Sequence, residues 1–250
     1  MQSVAARTYA LRQLRPQADY DLDSTQRSQV YLGLESETLS TRDAVASTRA
    51  QVLTHGQRLI EAVFHSSSGG QTENSGEIWR HQLPYLKSVP DFDQISPVYR
   101  WSKPLAAEQL AEAFSETGGV EQIEVLTRTS TGRLKRVLVR GPQGEIELPA
   151  RELRRRLQLK STFVRFDPPD LDSDPLALLE DWLNPSSEPQ PQLIAKGRGF
   201  GHGVGMSQWG AYGLSLQGKG YAAILRHYYP GAKLGFYQAP SSWPKPPPQP

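Results

Sequence analysis

Apolar residues recur along the chain with two different periods, and this alternation predicts a mixture of helices and strands. Apolar positions spaced three and four residues apart predict helices, whereas alternation or short apolar runs between turn residues predict strands. The segments with the helical pattern are 3–14, 41–52, 106–114, 152–159, 209–217 and 221–229. The segments with the strand pattern are 30–32, 51–55, 58–65, 162–166 and 193–195, with further strands inside 120–148. The predicted fold class is therefore α+β, with mixed helices and short antiparallel strands around a cleft and a strand-rich insertion.

Two of these segments allow finer predictions about caps and turns. The helix over 41–52 is expected to begin at Thr41 as its N-cap and to turn Ala44, Val45 and Thr48 towards the core. The strands 51–55 and 58–65 are expected to form a hairpin, since a glycine-containing dipeptide separates them. Local pattern therefore predicts a helix followed directly by a hairpin.

The elements are expected to form one domain over residues 1–239, with a strand-rich subdomain at about 120–166. Residues 167–192 contain six prolines among acids and serines, which predicts a long surface loop around an apolar segment. Residues 240–250 contain six further prolines and are expected to form an extended tail.

Composition and charge exclude several classes of protein. Hydrophobic residues make up 37% and charged residues 22%, which is typical of a globular chain. The net charge of +2 is too close to neutral to indicate a nucleic-acid partner. The absence of cysteine excludes disulfides, thiolate metal sites and a cysteine nucleophile. No stretch approaches the length of a membrane span, and the first residues lack the basic and apolar regions of a signal peptide.

The first segment with the composition of a site runs from His65 to Trp79. An apolar strand ends there in serines and in Gly69 and Gly70, followed by hydroxyls, amides and the carboxylates of Glu73 and Glu77. Glycine permits positive φ angles and allows a ligand to lie close to the backbone. The alternative is a capped turn after a strand, so the segment is a candidate site only.

The second such segment runs from Lys196 to Gly213 and contains five alternating glycines between positions 197 and 205. A run of this kind costs backbone entropy and needs a structural or functional reason. Ser207 is expected to cap the helix that follows. His202, which lies between two glycines, is expected to be unusually accessible.

Other motifs do not fit these two segments. The glycine run lacks the βαβ unit of a dinucleotide site and the Gly-Lys-Ser/Thr of a phosphate-binding loop. A serine-hydrolase elbow is also absent, although a serine nucleophile beside His65 or His202 is kept as an alternative. None of the five histidines forms an H-E-x-x-H motif, and although a histidine or histidine–carboxylate zinc site could assemble in space, no metal and no cofactor is expected.

Several stretches together resemble the SpoIID/LytB family, in that family's order. The resemblance rests on Ser3–Leu11, Ser28–Gly33, Ala44–Leu53, His65–Glu73, Pro84–Val89 and Gly199–Ala211. It implies a lytic transglycosylase that cleaves peptidoglycan glycan strands stripped of stem peptides and leaves a 1,6-anhydro-muramic product. Some relatives instead enhance a cell-wall amidase, so a non-catalytic glycan-binding or amidase-enhancing module is the alternative.

The resemblance also implies that the catalytic glutamate lies upstream of the Ala-Ala-Arg-Thr-Tyr-Ala helix, in a segment that these 250 residues do not contain. Whether the chain by itself is an enzyme is therefore left open. The implied partners are glycan strands and, in the alternative, a cell-wall amidase, with no nucleic acid. The implied location is the cell envelope if an export signal lies upstream, and the cytoplasm otherwise.

By their positions in the matched motifs, two sets of residues are candidates for the site. The catalytic candidates are His202, Gln208 and Glu73. The substrate-binding candidates are Ser66, Ser67, Gly69, Gly70, Thr72, Gly201, Gly203, Ser207 and Trp209. The two loops that carry these residues are expected to face each other across one groove.

Overall fold

The computed structural model describes residues 1–15, 19–25, 33–168 and 191–238. The helices are α1 Gln2–Gln13, α2 Leu39–Ser47, α3 Ser75–Ile78, α4 Ala107–Ala113, α5 Ala150–Arg156, α6 Gln208–Leu216 and α7 Tyr221–Tyr228, with 3-10 turns at Leu34–Ser36 and Ser115–Thr117. The strands are β1 Gln51–His55, β2 Arg58–Leu59, β3 Phe64–His65, β4 Arg100–Ala106, β5 Gln122–Arg128, β6 Leu134–Gly141, β7 Gly144–Pro149, β8 Val164–Asp167, β9 Pro191–Arg198, β10 Met206–Ser207 and β11 Lys233–Phe236.

The strands form four small sheets, which confirms the α+β prediction. Three of them are antiparallel, with the orders β11-β1-β2, β4-β9-β8 and β5-β6-β7. The fourth is the two-stranded parallel pair of β3 and β10. Parallel strands require a long connection. Here that connection runs from residue 66 to residue 205.

One hydrophobic cluster lies under α1, α6 and α7. It includes Val4 from α1, Leu53 from β1, Met206 from β10 and Leu225 from α7, all of which are buried. The Thr8 hydroxyl joins α1 to the sheet, because it donates to the Val4 carbonyl at 2.7 Å and accepts from the Leu53 N–H at 3.0 Å. The predicted first helix is thus confirmed, with its apolar face in the core.

A second hydrophobic cluster lies between the β4-β9-β8 sheet and the β5-β6-β7 sheet. Leu110 and Phe114 from the α4 region, Val137 from β6 and Leu153 from α5 are buried in it. The further strands expected inside 120–148 are present as β5, β6 and β7, which pair in chain order. Local alternation was sufficient here because consecutive strands pair with one another.

The prediction for the second helix was wrong in its start and in two of the three residues expected to face the core, whereas Thr48 is buried as expected. The helix begins at Leu39 after the N-cap Thr38, and Thr41 is the other member of the capping box. Ala44 and Val45 point to solvent, and Val45 is 52% exposed. The reason is that contacts at its C-terminal end hold α2 in place. There Arg7 donates hydrogen bonds to backbone carbonyls, and the shortest of these bonds is 2.7 Å long and goes to Thr48.

The predicted hairpin was correct only in its first half. β1 and β2 pair around the turn, but the chain then leaves the sheet, and residues 64–65 form β3 beside β10. The other edge of β1 pairs with β11, which the sequence pattern did not reveal. The predicted strand at 30–32, the apolar segment at 176–183 and the tail at 240–250 lie outside the described residues.

No helix within the described ranges is both long enough and apolar enough to span a membrane.

The Thr8 hydroxyl gives a test of how α1 is fixed. In Thr8→Val the side chain keeps its volume but leaves the buried Leu53 N–H unsatisfied, so the free energy of unfolding should fall by about 1–3 kcal/mol. Thr8→Ser keeps both hydrogen bonds and should lose less. Urea unfolding of the three proteins measures the difference, and a loss in Thr8→Ser as large as that in Thr8→Val would contradict the role assigned to the hydroxyl.

Candidate functional site

The two segments singled out in the sequence lie directly against each other. β3 pairs with β10, Ser67 forms an antiparallel bridge with Phe200, and Glu73 forms a parallel bridge with Val204. The Trp209 N–H donates to the Ser66 carbonyl at 3.0 Å. The loops are therefore hydrogen-bonded into one surface, rather than standing apart as two walls of a groove.

The alternating glycines are explained by this close approach. A Cβ atom at Gly199 would lie 2.6 Å from the Ser67 carbonyl oxygen, and one at Gly201 would lie 2.7 Å from the His65 Cβ. Both glycines also have positive φ angles, +72° and +119°. A side chain at either position would separate the two loops.

His65 and His202 form a tilted ring pair where the two loops meet. Their ring centroids are 5.4 Å apart, and the Trp79 ring lies 5.3 Å from His202. His202 Nδ1 accepts from the Val204 N–H at 3.0 Å, whereas His65 Nδ1 donates to the Val204 carbonyl at 3.1 Å. His65 Nε2 is therefore an unprotonated acceptor, buried and without a hydrogen-bond partner among the described residues.

Burial keeps both rings neutral. Desolvation, the nearby positive charge of Arg154 and that of Arg133 lower the pKa of His202 to about 4, against a hydrogen bond to the Phe64 backbone that raises it. Desolvation, followed by His202 and Arg133, holds the pKa of His65 well below its ordinary value. At neutral pH the pair carries no charge, so it is suited to hydrogen bonding and ring contacts and not to binding an anion.

Glu73 lies in a buried ion pair. One carboxylate oxygen accepts from the Asn74 N–H at 2.8 Å, and the other accepts from the Thr131 hydroxyl and lies 3.7 Å from Arg133 Nη1. The Glu73 and Arg133 side chains are 0% and 2% exposed. The carboxylate that the motifs offered as a catalytic candidate is thus engaged on both oxygens within the protein.

Arg133 connects the strand-rich module to the serine-rich loop. Its second terminal nitrogen, Nη2, donates to the carbonyls of Ser68 at 2.7 Å and Gln71 at 2.9 Å. Desolvation lowers the pKa of Arg133 to about 10, while Glu73 opposes this change, so the side chain is still a cation at neutral pH. This one residue holds the turn of the β5–β6 hairpin against the loop.

Two buried aspartates, which the sequence reasoning did not single out, hold the serines. Asp93 accepts from the Ser67 hydroxyl and from the backbone N–H groups of Gly69 and Gly70, at 2.8 and 2.9 Å. The Asp93 carboxylate accepts from both N–H groups. The backbone of the two glycines is therefore an anion-binding nest whose anion is a side chain of the protein itself.

Asp91 accepts from the Ser68 and Tyr228 hydroxyls and so joins the loop to α7. Burial, and secondarily the charge of Asp93, raise the pKa of Asp91. In the sequence, the available indication of this role was that Asp91 and Asp93 closely follow the matched stretch that ends at Val89.

The predicted site residues divide by exposure. Those with accessible surface are Ser66, Gly70, Gly201, His202, Gln208 and Trp209, whereas Ser67, Gly69, Thr72, Glu73, Gly203 and Ser207 are buried. Ser207 caps α6 as predicted, accepting from the Gly210 N–H at 3.0 Å. His202 is partly buried and so less accessible than expected, while Trp79, not among the chosen site residues, is 40% exposed beside it.

No metal-binding group of three or more histidine, cysteine or acidic side chains occurs in the part of the chain that the structure describes. The His65–His202 pair is thus not extended by a third ligand there.

Comparison with known proteins gives two family matches and several relatives. Residues 1–55 match the SpoIID stage II sporulation protein family, and residues 81–205 match a domain of unknown function, DUF8618. Stage II sporulation protein D of Bacillus amyloliquefaciens is 30% identical over 93% of this chain and 67% of its own length. The Bacillus subtilis protein of that name is 29% identical with the same coverage. The amidase enhancer of Bacillus subtilis is 28% identical over 94% of this chain and 37% of its own length.

The buried ion pair predicts a large effect of removing one partner. Arg133→Met leaves Glu73 buried without a cation, so the free energy of unfolding should fall by about 3–5 kcal/mol. Arg136→Met, three residues further along the chain in β6, removes an exposed ion pair with Glu147 and should change the free energy of unfolding by less than about 1 kcal/mol. Chemical denaturation measures both, and similar losses in the two variants would contradict the role assigned to Arg133.

The lowered histidine pKa values predict a loss of stability in mild acid. The folded-state pKa of His202 lies below the ordinary value of 6.5, so its stabilising contribution is present above pH 6.5 and is lost as the pH falls towards 4. The loss from His202 should reach up to about 3 kcal/mol. A plot of the free energy of unfolding against pH, between pH 7 and 4, should be flatter for His202→Gln than for the wild type. Parallel plots for the two proteins would contradict this.

Proposed function

The chain belongs to the stage II sporulation protein D family, and from this premise we propose that it acts on peptidoglycan glycan strands as a lytic transglycosylase. The family and the amidase-enhancer relative support a cell-wall-related role. The proposed location is the cell envelope. Residues 1–239 are proposed to act as one domain, because β9 lies in the second hydrophobic cluster and leads directly into the glycine loop.

The observation that carries the proposal is the uncharged surface at the join of the two loops. The neutral rings of His65 and His202 lie beside the half-exposed Trp79, and Gln208 is exposed at the first turn of α6. Sugars bind through hydroxyl and amide hydrogen bonds and through stacking of C–H faces on aromatic rings. An aromatic ring with neutral polar groups suits N-acetylated sugars better than it suits an ionic substrate.

In this proposal the acid is a glutamate supplied from outside the 250 residues. Its carboxyl group protonates the glycosidic oxygen between N-acetylmuramic acid and N-acetylglucosamine, and the anomeric C–O bond breaks. The muramic C6 hydroxyl then attacks the anomeric carbon and returns its proton to the carboxylate. One carboxyl group serves both steps because no water is activated, in contrast to the hydrolases that use two.

In that scheme the residues of this chain bind the glycan and position the reacting groups. His65 Nε2 is buried and has no hydrogen-bond partner among the described residues, so in this scheme it receives a hydrogen bond only once the incoming carboxylic acid or a sugar hydroxyl enters between the two loops. His202 has its ring fixed by Val204 and orients the pair. Gln208 is proposed to contact an N-acetyl group. Glu73 is proposed to be a positioning residue that holds the loop through Arg133.

The alternative function is a non-catalytic glycan-binding or amidase-enhancing module. Two observations favour it: the similarity to the amidase enhancer, and the burial of Glu73, the carboxylate that lies within the matched motifs. In that case the same surface binds glycan or the amidase without cleaving the glycan strand.

The two functions are separated by muropeptide analysis. Denuded glycan is incubated with the 250-residue chain and with a version extended by the residues encoded upstream, and 1,6-anhydro-muramic ends are counted. The extended protein is expected to produce them. An extended protein that produces none, but raises the rate of a cell-wall amidase, would replace the first function by the alternative.

Trp79 and Gln208 should matter for binding in either case. Trp79→Ala removes a stacking surface and should weaken binding to denuded glycan roughly tenfold. Gln208→Ala should weaken it by a smaller factor, and Gln217→Ala, an exposed glutamine at the other end of α6, should leave it unchanged. Equilibrium sedimentation with insoluble glycan measures all three, and unchanged binding in Trp79→Ala would place the sugar site elsewhere.

A further inference from the structure

A second surface of the molecule carries concentrated positive charge, on the β4-β9-β8 sheet. Arg100 of β4 pairs with Arg198 of β9, and Arg165 of β8 pairs with Lys196 of β9. Residues two apart on a strand share a face, and so do directly paired residues on neighbouring strands. The pairing register therefore places these four cations together on the face opposite the second hydrophobic cluster.

This arrangement is unfavourable for the isolated protein. Like charges directly opposite each other on neighbouring strands destabilise a sheet, and here two such pairs lie side by side. Asp167 bridges Arg165 at 3.1 Å and Lys196 at 3.3 Å. Within the described ranges, no carboxylate forms an ion pair with Arg100 or Arg198. A bound anion would relieve the repulsion between these two arginines.

The cations line a cleft of about 750 Å³, which gives such an anion a place. Trp101, Gly197 and Val164 are also among the lining residues, at the strand positions that alternate with the cations. Arg198 stacks over the Phe163 ring at 3.9 Å, which fixes the direction of its guanidinium group. Arg128 joins from the end of β5, and no acidic residue is among those that line the cleft. Arginine forks bind the two oxygens of a carboxylate with defined geometry.

The cleft and the sugar-binding surface lie on one continuous stretch of chain. Arg198 is the last residue of β9, and His202 follows four residues later, so their Cα atoms are at most about 14 Å apart. The connecting backbone is fixed, since the Ser161 hydroxyl donates to the Arg198 carbonyl at 2.6 Å and the Gly199 N–H donates to the Val98 carbonyl at 3.0 Å. A polymer that crosses the neutral surface can thus extend into the cleft.

We propose that this cationic cleft binds the lactyl carboxylates of N-acetylmuramic acid along the glycan strand that lies on the neutral surface. The proposal rests on the function proposed above and adds a physical basis for selecting stripped strands. When a stem peptide is attached, the lactyl carboxylate is consumed in an amide bond and loses its charge. A strand without peptides presents a free carboxylate on each muramic residue, which matches a row of arginines. The cleft lies entirely within residues 81–205, the part that matches a domain of unknown function.

The test compares binding of the 250-residue chain to four polymers: denuded glycan, the same glycan with its carboxylates converted to methyl esters, neutral chitin oligomers and poly(glycerol phosphate). Denuded glycan should bind at least tenfold more tightly than its methyl ester, and the difference should shrink as salt screens the charges. Arg100→Gln/Arg198→Gln should bind denuded glycan roughly tenfold more weakly and should not distinguish it from the ester. Lys219→Gln/Arg226→Gln removes two exposed charges outside the cleft and should behave as the wild type.

A thermal melt of each variant excludes unfolding as the cause. Removing two mutually repelling arginines should leave the melting temperature unchanged or raise it, and Arg100→Glu should raise it by forming a cross-strand ion pair while still weakening glycan binding. Equal binding of the denuded glycan and its ester would overturn this inference and leave the proposed function intact. Tighter binding of poly(glycerol phosphate) would reassign the cleft to a phosphate polymer. Failure to bind any glycan would overturn both.

Discussion

The structure depends on the backbone contact between the serine-rich loop and the glycine-rich loop. Four glycines of the second loop, at positions 199, 201, 203 and 205, each lie against the first loop or against the arginine that supports it. These contacts leave no room for a Cβ atom, and the backbone of all four has a positive φ. The glycine run is therefore a packing feature, and it brings His65 and His202 into contact although 136 intervening residues separate them in sequence.

Buried charges fix this contact from both sides. Arg133 reaches from the strand-rich module to two carbonyls of the serine-rich loop and to Glu73, while Asp91 and Asp93 take the serine hydroxyls and two glycine N–H groups. Each of these charges is buried, and each is hydrogen-bonded, as an interior ion must be. The result is a rigid base beneath a surface whose own groups are neutral.

The molecule thus separates two kinds of chemistry over a short stretch of chain. His202 with Trp79 offers neutral ring surface, whereas the β4-β9-β8 sheet places Arg100 and Arg198 opposite each other on neighbouring strands. The first suits the uncharged part of a sugar polymer and the second suits an anionic group attached to it. Arg198 at the end of β9 and His202 in the loop that follows link the two regions, so the proposed polymer could contact both.

The sequence by itself determined those elements whose partners are close in the chain. The α1, α6 and α7 helices, the Ser207 cap and the β5-β6-β7 meander all followed from local periodicity and turn residues, because each pattern is set by burial along a single segment. The motifs also singled out the two loops as a pair. The tertiary structure decided what depends on distant pairing: the parallel joining of β3 and β10, the loss of the hairpin's second half, the burial of Glu73 against Arg133, and the row of cations formed by Arg100 and Arg198. These features arise where segments 60 to 142 residues apart in the sequence approach one another. In the sheets, a one-residue change of register would place the same side chains on the opposite face.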